Sequence, residues 1–246
     1  MYFNVSAVVS HLKNLNYLLT MKKLVLSLVI VAGLGMHAFA QESQVKFGVK
    51  AGVTFPTLVA SGDDSDVKTT TSFYVGGTAT FPVSNMFSIQ SGLSLIGKGA
   101  ESGDLGEDFD GEDVAITGKA KINPLYLEIP LNAIVKFDAG SGKFFVGAGP
   151  YYAFGVGGKI KADVSSSSGG TTASASVKQD IKFGNGDEDT FKSGDFGLNF
   201  LVGYELNNGF NIQAGYGLGL SNVLNVDSDI AKVKNRVFSV GLGYSF

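Results

Sequence analysis

Apolar and polar residues alternate with a period of two along much of the chain from residue 46 onward. The segment VFSVGLGYSF (237–246) shows this clearly, because phenylalanine, valine, leucine and tyrosine alternate with serine and glycine. A two-residue period is typical of a β-strand with one apolar face. The alternation predicts eight strands, at residues 46–55, 72–81, 87–98, 125–137, 143–156, 195–206, 210–221 and 237–246.

The connectors between these strands alternate in length. Residues 82–85, 138–142 and 207–209 form short connectors, whereas the other four are long and rich in serine, glycine and aspartate. An even number of strands, with tight turns at one end and long loops at the other, is typical of an up-and-down barrel. The predicted fold is therefore all-β, an eight-stranded antiparallel up-and-down β-barrel.

The composition of the polar face indicates which face of the barrel is wet. A soluble lipocalin-type barrel turns its apolar face inward, whereas a membrane barrel turns it toward lipid. A soluble barrel needs many lysines and glutamates on its outer wall, but the polar positions here are mostly glycine, serine, threonine, asparagine and glutamine. Small and amide side chains suit the narrow interior of an eight-stranded barrel. We therefore predict a transmembrane β-barrel.

Aromatic residues on the apolar face mark the short-turn end of every predicted strand. A second apolar band, largely of phenylalanine and leucine, lies about eight to twelve residues along each strand, near the 9–11 residues that a tilted strand needs to cross a bilayer. Two such bands are typical of interfacial girdles. The predicted periplasmic girdle consists of Phe47, Phe81, Phe87, Phe137, Phe144, Tyr204, Phe210 and Phe246.

The residues before the barrel predict export through a cleaved signal peptide. Residues 21–40 combine two lysines, an apolar core and an Ala-Phe-Ala cleavage site, and this order is typical of secretory signals. The apolar run is short for a membrane anchor. Residues 1–20 precede a better start at Met21 and are interpreted as an overlong gene start, so the barrel domain is expected to occupy residues 41–246.

Composition narrows the classes of function once this leader is set aside. Residues 1–40 contain three lysines and no acidic residue, which leaves 16 basic and 22 acidic residues and a net charge of −6. Such a surface is a poor partner for nucleic acid. The chain has no cysteine, and both histidines, His11 and His37, leave with the leader. We therefore predict no catalytic residues, no cofactor and no metal site of the His/Cys type.

A set of polar residues is predicted to face the lumen. Lys50 and Glu128 are charges inside the apolar belt, and a lone charge there is costly, so we expect them to pair with each other or through Gln90 and Asn132. The set is either a conduction path or a plug of ion pairs and amides. Tyr74, Tyr126, Phe145 and Tyr151 also point inward and favour the plug. The predicted lumen network consists of Lys50, Gln90, Glu128, Asn132, Lys136 and Glu205.

The long loops carry acidic clusters at Asp63, Asp64 and Asp66, at residues 107–113, and at Asp187, Glu188 and Asp189. The second cluster resembles part of a calcium loop but lacks its full spacing and closing glutamate. Solvated acidic loops are the simpler interpretation, and binding of divalent cations stays open. The tract SSSSGGTTASAS (165–176) is of low complexity and is predicted to be a mobile outer loop.

Four segments resemble the PorT-like outer-membrane β-barrel family of Bacteroidetes: KFGVKAGVTF (46–55), IQSGLSLIGKG (89–99), LYLEIPLNAIVKF (125–137) and GAGPYYAFGVGG (147–158). The resemblance implies a small eight-stranded barrel in the Gram-negative outer membrane and implies little about activity. One relative is linked to protein secretion, and no residue here carries that role over. The final aromatic residue, Phe246, also resembles the signal that the barrel-assembly machinery is implied to read.

These observations predict a monomeric, porin-like outer-membrane protein that is not an enzyme. Its expected partners are outer-membrane lipid and, during insertion, the barrel-assembly machinery. Its expected role is structural, or surface interaction through the long acidic outer loops. A narrow pore for small solutes and a subunit of a secretion or assembly apparatus are the alternatives, and an enzyme with an acid-only or Ser-Lys site is a third.

Overall fold

The computed structural model describes residues 45–60, 67–102, 105–108, 114–168, 171–184, 186, 189–225 and 232–246. The predicted gene start and signal peptide, residues 1–20 and 21–40, lie outside the described residues. Within the described part, no helix is long and apolar enough to cross a membrane.

Twelve β-strands make up the described secondary structure. They are β1 (Lys46–Ala60), β2 (Val67–Lys68), β3 (Ser72–Pro82), β4 (Phe87–Gly97), β5 (Ala100–Ser102), β6 (Leu105–Asp108), β7 (Val114–Ala139), β8 (Gly142–Ser168), β9 (Thr171–Asp180), β10 (Gly194–Leu206), β11 (Phe210–Gly219) and β12 (Val233–Ser245). Eight of them correspond to the predicted strands, although β4, β11 and β12 end one or two residues earlier than predicted, and β2, β5, β6 and β9 are additional.

Eight of these strands pair in a closed antiparallel ring. The order around the ring is β1, β3, β4, β7, β8, β10, β11 and β12, and β12 pairs back onto β1 from Gly48↔Ser245 to Ala60↔Val233. The predicted eight-stranded antiparallel barrel is therefore confirmed. Closure leaves no unpaired edge within the ring, which is the condition for a sheet to exist in lipid.

The short turns lie together at one end of the barrel, here called the turn end. Gly140 and Ser141 connect β7 to β8, and Gly140 has a φ of 61°. Residues 207–209 connect β10 to β11, and Gly209 has a φ of 89°. Glycine reaches these left-handed values without strain, and two- and three-residue hairpin loops require them. The opposite end, here called the outer end, carries the long connections.

Large apolar side chains project outward from all eight strands of the ring. Val49, Val75, Leu131 and Ile212 are each about half exposed, while the residues between them point into the lumen. An apolar surface that encircles the barrel would aggregate in water and is stable against lipid. The inward positions include glycines that make room for aromatic rings: a Cβ atom on Gly52 would collide with the ring of Tyr74.

The barrel sheet continues well beyond the apolar belt at the outer end. β7 has 26 residues and β8 has 27, whereas the predicted strands ended earlier. β9 pairs with β8 from Lys159↔Asp180 to Ser168↔Thr171, so the described residues of 165–176 lie in two paired strands, and the mobility predicted for this tract stays a prediction. Sheet hydrogen bonds use the backbone, so the low complexity of the side chains does not weaken them.

Candidate functional site

The predicted lumen residues line two small cavities along the barrel axis. The cavity nearer the outer end is about 70 Å³ and is lined by Lys50, Gln90, Glu128 and Asn132, among others. The cavity nearer the turn end is about 30 Å³ and is lined by Lys50, Gln90, Lys136 and Glu205, among others. Lys50 and Gln90 border both cavities and therefore lie between them.

A buried ionic cluster closes the outer side of the larger cavity. The Lys98 Nζ atom lies 2.7 Å from Glu128 Oε2 and 3.0 Å from Asp195 Oδ2. The side chains of Lys98 and Asp195 are 1% and 0% exposed. Lys98 directly follows β4, Glu128 lies within β7 and Asp195 lies at the start of β10, so the cluster fixes those strands to one another across the lumen.

Asp195 is the most heavily bonded group of this cluster. Besides Lys98, its carboxylate accepts hydrogen bonds from the Tyr151 hydroxyl at 3.2 Å, the Ser221 hydroxyl at 2.9 Å and the Asn235 amide at 3.0 Å. Four donors around one carboxylate offset the cost of burying its charge. Asp195 was not among the predicted lumen residues, because it is the first residue of a predicted strand, where charge usually faces water. The outward-facing Phe196 beside it is the signal that Asp195 faces inward.

The structure gives Lys50 and Glu128 different partners from those predicted. The Glu128 carboxylate binds Lys98 and accepts a hydrogen bond from the Asn199 amide at 3.1 Å, so the expected pairing with Lys50 is wrong. The Lys50 ammonium group lies over the Tyr74 ring, 5.7 Å from its centroid. Lys98 is the last residue of the predicted strand 87–98, and its long side chain brings the ammonium group to both carboxylates.

Lys136 and Glu205 form a second ion pair toward the turn end of the lumen. Lys136 Nζ lies 3.0 Å from Glu205 Oε1, and both side chains are 14% exposed. The Ser245 hydroxyl lies 3.4 Å from Glu205. This pair joins β7 to β10 and lines the smaller cavity. Its greater exposure makes it weaker than the cluster around Lys98, because water screens the interaction.

Aromatic side chains and one connecting segment close the outer mouth. Tyr74, Tyr126 and Tyr151 are buried in a cluster inside the ring, and Phe183 packs against that cluster from the β9–β10 connection. The Phe183 ring lies 5.4 Å from the Tyr126 ring in an edge-on arrangement. Phe191 is fully buried in a second cluster that Phe183 also touches. The described residues of 181–193 therefore cover the outer end of the lumen.

The eight aromatic residues of the predicted periplasmic girdle lie at the turn end. Three pairs of them flank the three short connections, and Phe246 donates its backbone N–H to Phe47 at 2.8 Å where β12 meets β1. Phe87 and Phe246 are 53% and 70% exposed. Tyr204 turns its hydroxyl to the Ala139 carbonyl at 2.6 Å. The geometry thus places the set in one band, and its role as a membrane girdle is a prediction.

Most of the acidic loop residues fall outside the described part of the chain. Asp189 is described, and its carboxylate accepts a hydrogen bond from the Gly186 N–H at 2.8 Å, so it stabilises its own turn. Among the described residues, no group of three or more His, Cys, Asp or Glu side chains could hold a metal ion.

Comparison with known proteins finds similar solved structures and one matching family. One similar solved structure is the attachment invasion locus protein Ail of Yersinia pestis, with 16% sequence identity and a TM-score of 0.37, and the match covers 82% of this chain and 99% of that chain. Another is Neisserial surface protein A, with 15% sequence identity and a TM-score of 0.35, and the match covers 81% of this chain and 97% of that chain. No curated protein matches. The family model described as outer membrane protein beta-barrel domain matches residues 39–225. The chain therefore belongs to this outer-membrane β-barrel family and is located in the outer membrane.

Proposed function

We propose that this barrel is a non-conducting, non-enzymatic outer-membrane protein with a structural or surface-interaction role. The lumen is plugged, and the outer loops with their acidic residues, together with the extended β7–β9 sheet, are the parts that meet other molecules. The observation that carries the proposal is the buried cluster of Lys98, Glu128 and Asp195 beneath the cover formed by the described residues of 181–193.

The size of the remaining space supports a plug. The two cavities, of about 70 and 30 Å³, hold a few water molecules at most. A path through them would require the Lys98 cluster to separate. Breaking a buried ion pair costs on the order of 3–5 kcal/mol, and each 1.4 kcal/mol is tenfold in population. The open state would therefore be rare, on the order of one molecule in a hundred to a few thousand.

Planar-bilayer recording tests this proposal directly. The wild-type barrel is expected to give no sustained conductance above the bare membrane. A variant that removes the cover and the cluster together, with Phe183→Ala and Lys98→Met, is expected to give more frequent openings. Lys143→Gln, which changes an exposed ion pair at the turn end, is the charge-matched control. Stable open channels in the wild type would refute the plug.

A narrow pore for small solutes is the second candidate function. The position of Lys50 favours it over a subunit of a secretion or assembly apparatus and over an enzyme. Lys50 borders both cavities, so any solute crossing the lumen would pass its ammonium group. If the barrel conducts, Lys50→Met should change the ratio of anion to cation permeability with little change in stability. Unchanged selectivity in a conducting barrel would exclude this path.

The finer family assignment and the biogenesis are part of the same proposal. The segments at 46–55, 89–99, 125–137 and 147–158 support PorT-like membership, and crosslinking in native membranes would test whether the protein is a subunit of a secretion or assembly apparatus. Export through a signal peptide at residues 21–40, insertion by the barrel-assembly machinery and a monomeric state in outer-membrane lipid complete the proposal. N-terminal sequencing of the mature protein should begin at Gln41.

A further inference from the structure

A groove opens on the outward face of β7 and β8 just beyond the outer end of the apolar belt. Its volume is about 510 Å³, which is within the usual range of about 300–1,000 Å³ for ligand pockets. Lys121, Lys159 and Lys161 line it, and Leu125 borders it on the side of the belt. The groove has free space next to Gly157, because a Cβ atom on this residue would meet nothing within 4 Å.

The strand register concentrates positive charge along this groove. Lys121 lies directly opposite Lys161, and Lys161 lies directly opposite Lys178 on β9. Like charges in this arrangement destabilise a sheet. Within the described residues, the ammonium groups of Lys121, Lys161 and Lys178 form no ion pair. An anion lying across this row would relieve the repulsion between them.

The acidic residues on the same face leave Lys161 without a carboxylate on its own rung. Glu101 on β5 lies opposite Lys121, and Asp163 lies opposite Lys119. Asp180 also lines the groove and is 3.8 Å from Lys159, in a pair whose side chains are 85% and 64% exposed. These carboxylates sit at the ends and on neighbouring rungs, whereas Lys161 at the centre has a lysine on each side.

The height of the lysines above the belt matches the lipid headgroup layer. Lys159 and Lys161 lie two and four residues beyond the rung of Leu125, or roughly 7 and 13 Å along the strand. A strand tilt of roughly 40° reduces these heights to roughly 5 and 10 Å. The headgroup region occupies about 5–8 Å on each side of the hydrocarbon core, and a lysine side chain can extend toward it.

We propose that this groove binds the phosphate group of an anionic amphiphile in the outer leaflet. The three groove lysines contact the phosphate, and the acyl chains run down past Leu125 along the lipid-facing side of β7 and β8. A free phosphate offers the same headgroup chemistry but has nothing to place against Leu125. The junction of a cationic groove with an apolar wall therefore favours a membrane amphiphile.

Acetylation footprinting of the full barrel in vesicles tests the site. The barrel is reconstituted in phosphatidylcholine alone, in phosphatidylcholine with a minor fraction of phosphatidic acid, and in phosphatidylcholine with inorganic phosphate at the same concentration. The acetylation rates of Lys121, Lys159 and Lys161 are expected to fall several-fold in the vesicles that contain phosphatidic acid and to stay unchanged in the other two. Lys192, Lys232 and Lys234, also in outer-end connections or strands but outside the groove, should change little.

Two variants separate a defined site from general attraction of charge. The triple variant K121Q/K159Q/K161Q should weaken retention of phosphatidic acid, measured by native mass spectrometry, by about a hundredfold, because each lysine near an anionic surface contributes about fivefold. The control K192Q/K232Q/K234Q removes the same charge and should change retention less than about fivefold. Gly157→Leu keeps every charge but fills the groove and should also weaken retention.

Three results would overturn the proposal. Equal losses in the triple variant and its control would mean diffuse attraction. Full retention in Gly157→Leu would mean that the groove is not the site. Equal protection of the lysines by inorganic phosphate would remove the amphiphile as the source. Unchanged heat-dependent gel mobility of every variant verifies that each one folds.

Discussion

Replacing Lys98 should destabilise this barrel more than replacing any other lysine in the lumen. In Lys98→Met the apolar stem keeps most of its volume while the ammonium group is lost. The Glu128 and Asp195 side chains, which are 8% and 0% exposed, then remain as two buried carboxylates without their shared cation. The rest of the ring is left as it was.

The expected cost can be worked out from the contacts. Lys98 lies 2.7 and 3.0 Å from the two carboxylates and 3.9 Å from the centre of the Tyr151 ring. Removing one partner of a buried ion pair costs about 3–5 kcal/mol. The remaining donors to Asp195 and the Asn199 bond to Glu128 persist, so we expect the lower half of that range, about 3–4 kcal/mol.

A double-mutant cycle isolates the interaction of Lys98 with Glu128. Urea-induced unfolding is measured in lipid vesicles for Lys98→Met, for Glu128→Gln and for the double variant, and the loss in the double variant should be smaller than the sum of the single losses. For groups in direct contact the coupling is expected to be about 1–3 kcal/mol. Additive losses would refute the assignment of Lys98 as the partner of Glu128.

The ion pair of Lys136 and Glu205 is the matched control within the same lumen. Its distance, 3.0 Å, is similar, but both side chains are 14% exposed. Water screening reduces the value of such a pair toward about 1 kcal/mol. Lys136→Met should therefore cost clearly less than Lys98→Met. Equal costs would mean that burial does not control the energetics of this lumen.

Further expected outcomes follow from the same contacts. The unboiled barrel should migrate differently from the boiled one on a gel, because a closed ring resists detergent unfolding; identical mobility would contradict closure. Lys50→Met should change the urea midpoint little, since the Lys50 ammonium faces a ring 5.7 Å away rather than a carboxylate. Gly52→Val should prevent folding, because its Cβ atom would collide with the Val240 carbonyl and the Gly241 backbone as well as the Tyr74 ring; normal yields in vesicles would show that the backbone of this strand pair can shift.

The ring and its two faces could be predicted from sequence because a strand has a fixed side-chain period. Once Phe238 and Val240 are assigned to lipid, Ser239 and Gly241 must face the lumen. The same parity places Lys50 and Glu128 inside. Local rules of this kind need no knowledge of the other strands, and the turn chemistry of Gly140 and Gly209 then fixes which strands are neighbours.

The choice of ion-pair partners could not be predicted in the same way. It depends on how far around and along the ring two inward side chains lie, and that distance is set by the stagger of all eight strands. Lys98 and Asp195 were assigned to strand ends, where charge usually faces water. Only the assembled ring shows that Tyr126, Tyr151 and Phe183 exclude water from that level and bury the charges.

The length of β7 and β8 indicates where the function of this barrel is concentrated. A tilted strand needs about 9–11 residues to cross the hydrocarbon core, and β11, with 10 residues, has little more than that. β7 and β8 have 26 and 27 residues, and 11 residues of each, 114–124 and 158–168, lie beyond the rung of Leu125 and Gly157 at the outer end. Ordering a residue costs about 1–2 kcal/mol of backbone entropy, and the pairing of β6 and β9 with this hairpin supplies hydrogen bonds that offset part of that cost. The ordered sheet at the outer end and the buried cluster of Lys98 with its two carboxylates are the two features that support our proposal of recognition at the surface over transport through the barrel.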